Sequence, residues 1–208
     1  MEDYNIKPVA DTIPINEVFE LGKDTEDDMV RSLFYLCYLS GARIGEAIQL
    51  TKRDVHISTS GEELLIELKT EKRKDHPIRV IPILIIDNPN HTVFNMYEKQ
   101  MASVIINYVK RFKEDDLVFP ISRQQSFNIF TKQFNTRVRY RLKDNTPTDL
   151  DVKKINPHYL RHCRLTHLRQ EYGYDVVSLM RFAGWKDSQM ANIYLHLGYK
   201  DLRNEMMK

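Results

Sequence analysis

Cysteine is nearly missing from this sequence: Cys37 and Cys163 are the only two among 208 residues. Both sit inside apolar helical patterns, which excludes a disulfide framework and predicts reduced, buried thiols. No cluster of His, Cys and carboxylate residues has metal-ligand spacing. With 7 glycines in all, no Gly-rich loop is available to cradle a nucleotide. Neither a metal nor any other cofactor is expected. Long apolar runs are missing too, and none approaches the roughly 20 residues that cross a bilayer. The N-terminus is acidic and lacks the apolar segment of a secretory signal. Together these absences predict a soluble, cytoplasmic protein without a membrane partner. A charge excess is the last thing missing. Lys and Arg number 31 against 29 Asp and Glu, for a net charge of +2, so this is no bulk polycation.

What charge there is, however, is sorted along the chain. The first 28 residues are rich in acids (Glu2, Asp3, Asp11, Glu17, Glu20, Asp24, Glu26, Asp27 and Asp28). Residues 137–169 instead carry Arg137, Arg139, Arg141, Lys143, Lys153, Lys154, Arg161, Arg164 and Arg169. Local segregation of this kind is how a nearly neutral chain builds a surface for a polyanion. The length suits one domain with a sizeable core, and the sequence shows neither an internal repeat nor a low-complexity segment.

Residues 1–12 read as a flexible lead-in that ends before Pro14. Apolar residues at helical spacing predict a helix from Asp27 to Ser40, stopped by Gly41, with Arg43 in the first turn of a second helix reaching Leu50. Residues 63–69 and 78–83 read as two strands of a hairpin around a polar loop, 70–77. One or two helices are expected over 89–112, an extended link over 117–120, and a helix from Ser122 to about Arg141. A polar loop fills 143–154. Asn156-Pro157 then supplies an N-cap followed by proline at the first helical position, opening a helix to Tyr172. A further helix from Asp175 ends at Gly184, and Asp187-Ser188 begins the last one.

Tyr194 lies on that last helix, nine residues after Gly184-Trp185. His158-x-x-Arg161 precedes them, and Gly41-Ala42-Arg43-Ile44-Gly45-Glu46 stands far upstream. A phenol is a poor nucleophile at its ordinary pKa of about 10. Beside cations and hydrogen-bonding rings it can attack a phosphodiester and hold the phosphate covalently. His158 and Arg161, three residues apart, share one helix face near an N-terminus that itself favours a phosphate. Arg161 suits a bidentate grip on non-bridging oxygens, and His158 can hydrogen-bond an oxygen or relay the phenolic proton. Arg43 follows an apolar run, where a cation is costly unless it meets an anion. Glu46 reads as its orienting or structural partner, and His162 and His167 as packing or hydrogen-bonding locally.

In this order, Arg43, His158-x-x-Arg161, Trp185 and Tyr194 resemble the tyrosine recombinases, the phage integrase family, from about Ile13 to Tyr194. The resemblance implies an α+β, mostly helical catalytic domain over 13–208 with a small antiparallel sheet. It implies site-specific DNA strand breakage and rejoining through a 3′-phosphotyrosine, with Tyr194 the nucleophile and Arg43, Arg161, His158 and Trp185 stabilising the pentavalent phosphorus. A hairpin lysine would protonate the leaving 5′ oxygen; Lys69 matches best and Lys72 is the alternative. Lys72 and Arg73 in the hairpin turn are expected to contact DNA. Double-stranded DNA and a homotetramer formed on it are the implied partners, with no nucleotide consumed. The family's usual N-terminal helical domain is not expected in this chain. Two other readings stay open: a type IB topoisomerase-like activity, and a DNA-binding module of the same fold that has lost its chemistry.

Overall fold

The structure, a computed structural model, describes residues 12–70, 77–135 and 155–195. The expected hairpin turn, the segment from 136 to Arg141 and the loop 143–154 lie outside these residues.

Eight α-helices and a three-stranded antiparallel sheet make up the described chain. In order they are α1 (Ile15–Lys23), α2 (Asp28–Ser40), α3 (Ile44–Ala47), β1 (Val55–Ile57), β2 (Glu63–Lys69), β3 (Ile78–Leu84), α4 (Thr92–Val109), α5 (Arg123–Gln133), α6 (Pro157–Tyr172), α7 (Val176–Ala183) and α8 (Gln189–Leu195). None of these helices is long and apolar enough to cross a membrane.

The centre of the molecule is α2. Asp27 caps it by accepting from the Val30 N–H at 3.0 Å, and seven successive residues, Leu33 to Leu39, are at most 1 % exposed. An apolar run with no polar stripe suits only a helix enclosed on every side. Its neighbours are α4 and α6, with Phe130 and Phe134 stacked on Phe34. The sheet has strand order β1-β2-β3. Leu64, Ile66 and Leu68 of β2 and Ile81 and Ile83 of β3 turn inward, as alternation requires.

Two expectations change. β1, of three residues, is too short to carry a periodic signal and was not read from sequence; it pairs Val55 with Ile66 and Ile57 with Leu64. The helix expected to reach Leu50 stops at Ala47, because the backbone there is recruited elsewhere. Leu50 O accepts from Val118 N at 2.9 Å, and Thr51 bridges Leu117. Arg43 is consequently the N-cap of α3 rather than part of its first turn.

A buried polar network joins three of the helices. Arg164 on α6 donates to Glu98 on α4, both side chains being 4 % exposed. The Tyr172 hydroxyl donates to the other Glu98 oxygen at 2.8 Å. His167 shares a 2.8 Å hydrogen bond with Tyr38 of α2. Burial, then the nearby Arg164 charge, pushes His167 down to about 4, so it is neutral at physiological pH. The packing expected of His167 is what the structure contains, with its ring edge-on to Phe94 and Tyr38.

Candidate active site

Three helix ends and one strand converge on a single buried arginine. α6 begins where the sequence said it would: the Asn156 side chain accepts from Tyr159 N at 2.9 Å and Pro157 takes the first helical position. One turn in, Arg161 is 4 % exposed. Its guanidinium donates to Gly41 O at 2.5 Å and to Ala183 O at 2.6 Å. Both carbonyls lie at helix C-termini, the ends of α2 and α7, where the helix dipole favours a cation. Both are aimed by left-handed glycines, Gly41 at φ 57° and Gly184 at φ 68°. A Cβ at Gly41 would come within 2.8 Å of the Phe182 ring, so space as well as conformation calls for glycine here. Burial pushes Arg161 down to about 9, with Arg43 and Arg79 adding to the shift and Glu46 and Tyr194 opposing it. It remains charged at neutral pH, and those four influences place all five groups in one neighbourhood.

Glu46 organises the cationic side. Its side chain is fully buried and accepts from Arg43 twice, from the backbone N–H at 2.8 Å and from the guanidinium at 3.0 Å. Arg79 of β3 grips the same carboxylate with two donors, at 3.1 and 2.7 Å. Burial alone would raise the Glu46 carboxyl, but these hydrogen bonds and charges hold it below its ordinary value. Arg79 also donates to Thr70 Oγ1 at 3.2 Å and to Phe182 O at 3.1 Å. It thereby ties the hairpin to both α3 and α7. Sequence reasoning missed Arg79, although a signal existed: it falls in phase with the buried Ile81 and Ile83 on an alternating strand. An arginine on the inward face of a strand announces a buried anion.

Trp185 follows the turn at Gly184, its backbone N–H bonded to Met180 O at 3.0 Å. The Arg161 guanidinium lies 5.5 Å from the indole centre. The Tyr194 ring stacks on the same indole at 5.8 Å and 24°. Tyr194 itself is 8 % exposed. Burial raises its phenol to about 12, with Arg161 pulling the other way. Its hydroxyl lies 3.2 Å from His162 Nδ1, so the local hydrogen bond expected of His162 spans 32 positions to the tyrosine. A cleft of about 370 Å³ opens beside Trp185, lined by Thr70, Ile78, Arg79, Val177 and Arg181 among others.

Of the residues singled out from sequence, Arg43, Arg161, Trp185 and Tyr194 share this neighbourhood. His158 is exposed in the first turn of α6, on the face that carries Arg161 and His162. Lys69 is exposed at the end of β2, opposite Ile78 and next to Thr70. Lys72 and Arg73 lie outside the described residues.

A family model described as the phage integrase family matches residues 15–201, a span that takes in every residue of this constellation. The chain belongs to the phage integrase family. Similar relatives include the tyrosine recombinase XerC of Lacticaseibacillus casei, 26 % identical over 205 residues that cover 93 % of this chain and 59 % of that protein. The tyrosine recombinase XerA of Saccharolobus solfataricus is 25 % identical over 198 residues, covering 95 % and 55 %. This integrase-family chain thus spans little more than half the length of such relatives. Among solved structures, the XerH site-specific recombinase in a post-cleavage complex with its difH substrate matches with TM-score 0.65 and 16 % identity, over 96 % of this chain and 52 % of that one. The catalytic domain of bacteriophage HP1 integrase matches with TM-score 0.54 and 17 % identity, over 96 % and 95 %. The α+β fold, mostly helical with a small antiparallel sheet, is therefore that of integrase-family catalytic domains.

Proposed function

We propose that this chain is the catalytic domain of a site-specific DNA recombinase that breaks and rejoins strands through a phosphotyrosine. The observation that carries the reading is a phenol stacked on Trp185 within the field of a buried arginine, with a second arginine held close by Glu46. Tyr194 attacks the scissile phosphorus; the phosphate stays on the tyrosine through its 3′ oxygen and the 5′ hydroxyl departs. Attack by a partner 5′ hydroxyl reverses the step, so bond energy is kept and no nucleotide is consumed. Two of the five Arg161 N–H donors are on Gly41 O and Ala183 O, and three are left beyond them among the described residues. With Arg43, His158 and the Trp185 N–H, these face the charge that builds on the non-bridging oxygens. Lys69, at the exposed end of β2, serves the leaving oxygen, with Lys72 the other candidate. Lys72 and Arg73 contact the DNA backbone.

The substrate is double-stranded DNA, engaged by an assembly of this chain in which two duplexes exchange strands. That the XerH structure is a complex with its difH substrate supports this choice. Four copies, two per duplex, meet the symmetry of the exchange.

The test is covalent capture. The protein is incubated with a library of nicked duplexes from its source genome and denatured in detergent; protein-linked DNA is then sequenced, and the modified peptide mapped. An adduct on the peptide holding Tyr194, enriched for one sequence, supports strand transfer. DNA retained on a filter without any adduct supports a binding module of the same fold. Relaxation of supercoiled plasmid without sequence preference supports a topoisomerase.

Arg161→Lys separates the two duties of that position. A lysine ammonium cannot span two carbonyls and still present a planar fork to phosphate. Single-turnover adduct formation is expected to fall by about 10²–10³. Thermal denaturation should show a loss of about 1.5–3 kcal/mol, the range for a hydrogen bond to a charged group.

A further inference from the structure

α6 presents His158, Arg161 and His162 on one face, at positions i, i+3 and i+4. With His158 placed on the non-bridging oxygens rather than relaying the phenolic proton, the proton of Tyr194 needs another acceptor. Such a group must lie within about 2.6–3.2 Å of the hydroxyl it serves, directly or through one water. His162 Nδ1 meets that distance at 3.2 Å, while His158 is exposed one turn away. The His162 ring is half-buried, with its centroid 5.4 Å from that of Tyr194 and 6.4 Å from that of Tyr159.

We infer that His162 is a further catalytic residue of this site, whose Nδ1 takes the phenolic proton of Tyr194 as the oxygen attacks phosphorus. The inference rests on the strand-transfer reading and adds to it the identity of the base. In the step, the Tyr194 oxygen forms its bond to phosphorus and the bond from phosphorus to the 5′ oxygen breaks. The phenolic proton moves to Nδ1, making an imidazolium, and the leaving oxygen takes a proton from the acid assigned to Lys69. In the rejoining direction the imidazolium returns its proton to the departing phenolate. Nδ1 accepts when the resting ring proton sits on Nε2.

The need for a base follows from the site itself. Burial raises the phenol to about 12, so it holds its proton at neutral pH. Arg161 favours the anion but has no lone pair with which to receive a proton. Trp185, the ring stacked on Tyr194, offers an N–H donor only. Among the described side chains in contact with the phenol, an imidazole is the group whose ordinary pKa of about 6.5 suits transfer in both directions near neutrality.

The decisive experiment changes the acidity of the nucleophile. His162→Ala is compared with the parent, each carrying either tyrosine or 3,5-difluorotyrosine at position 194, in single-turnover cleavage of a nicked duplex recovered by covalent capture. His162→Gln runs alongside, because it keeps a hydrogen-bonding group toward the phenol yet cannot take its proton. It also covers failure of the alanine variant to fold, which melting curves reveal. Both variants are expected to lose about 10²–10⁴ in adduct formation while retaining DNA on a filter. The more acidic fluorinated phenol should recover at least about tenfold of that loss, and change the parent far less. Cleavage within about threefold of the parent, or a loss that the fluorinated phenol does not recover, would overturn the assignment and leave His162 a packing residue. If the parent itself forms no adduct, the strand-transfer reading falls and the base falls with it. That outcome is distinct, since the other two require an active parent.

Discussion

Tyr194→Phe is expected to abolish covalent capture of DNA while leaving the protein folded and able to bind. The hydroxyl is the only atom lost, and under the proposed mechanism it is the only atom that bonds to phosphorus. Among the described residues, neither neighbouring tyrosine stands in for it; Tyr199 lies outside them. Tyr172 is engaged with Glu98, and Tyr174 packs edge-on against Phe182. The cost to the fold is small, because the ring keeps its stacking on Trp185 and one hydrogen bond, to His162, is removed. A net loss of about 0.5–1.5 kcal/mol is expected for that bond. At 2–4 °C per kcal/mol for a chain of this size, melting should drop by roughly 1–6 °C. Denaturing gels with end-labelled nicked duplex, paired with a melting curve, check both halves. Residual adduct at more than about a thousandth of the parent level would place the nucleophile elsewhere.

Arg164→Met is expected to do the reverse, damaging the fold first. The Arg164–Glu98 pair is enclosed by α2, α4 and α6, both side chains being 4 % exposed. The guanidinium also lies 5.6 Å from the Tyr38 ring and 5.8 Å from that of Phe182. Removing one partner leaves Glu98 charged in the interior, where among the described residues the Tyr172 hydroxyl remains to meet it. Breaking a buried pair from one side costs about 3–5 kcal/mol, or roughly 6–20 °C in melting temperature here. The double variant Arg164→Met with Glu98→Leu removes both charges and should recover much of the loss, since a well-packed apolar pair often matches a buried ion pair. If the single variant melts within about 1 kcal/mol of the parent, Glu98 has found water or a proton and the enclosed network does not govern stability.

Much of the architecture was legible because its signals are local. Asn156-Pro157 and the glycines after α2 and α7 mark helix ends through backbone chemistry that owes nothing to distant partners. Alternation marks β2 and β3 in the same way. The site residues were legible through their order along the chain, yet their connections were not. Nothing near Arg161 in sequence tells that two of its donors are spent on Gly41 O and Ala183 O, 120 and 22 positions away. Glu46 was read as an i,i+3 partner of Arg43, and it is; the second grip by Arg79 depends on how the hairpin lies against α3. β1 and the early end of α3 were hidden for a related reason. Both are fixed by pairing with segments that are remote in sequence.

Because the buried arginine fastens two helix ends, besides facing the phosphate in the proposed mechanism, it should outlast the chemistry proposed for it. In a lineage where a mobile element has fallen silent, the hydrogen bond to His162 is a small hold on the Tyr194 hydroxyl, and drift can remove it without unfolding the chain. Loss of the arginine would still be purged, as long as any role in binding DNA kept the protein under selection. An intact arginine is therefore a weak sign of a living recombinase. An allele scan ranking decayed copies should weigh the tyrosine first.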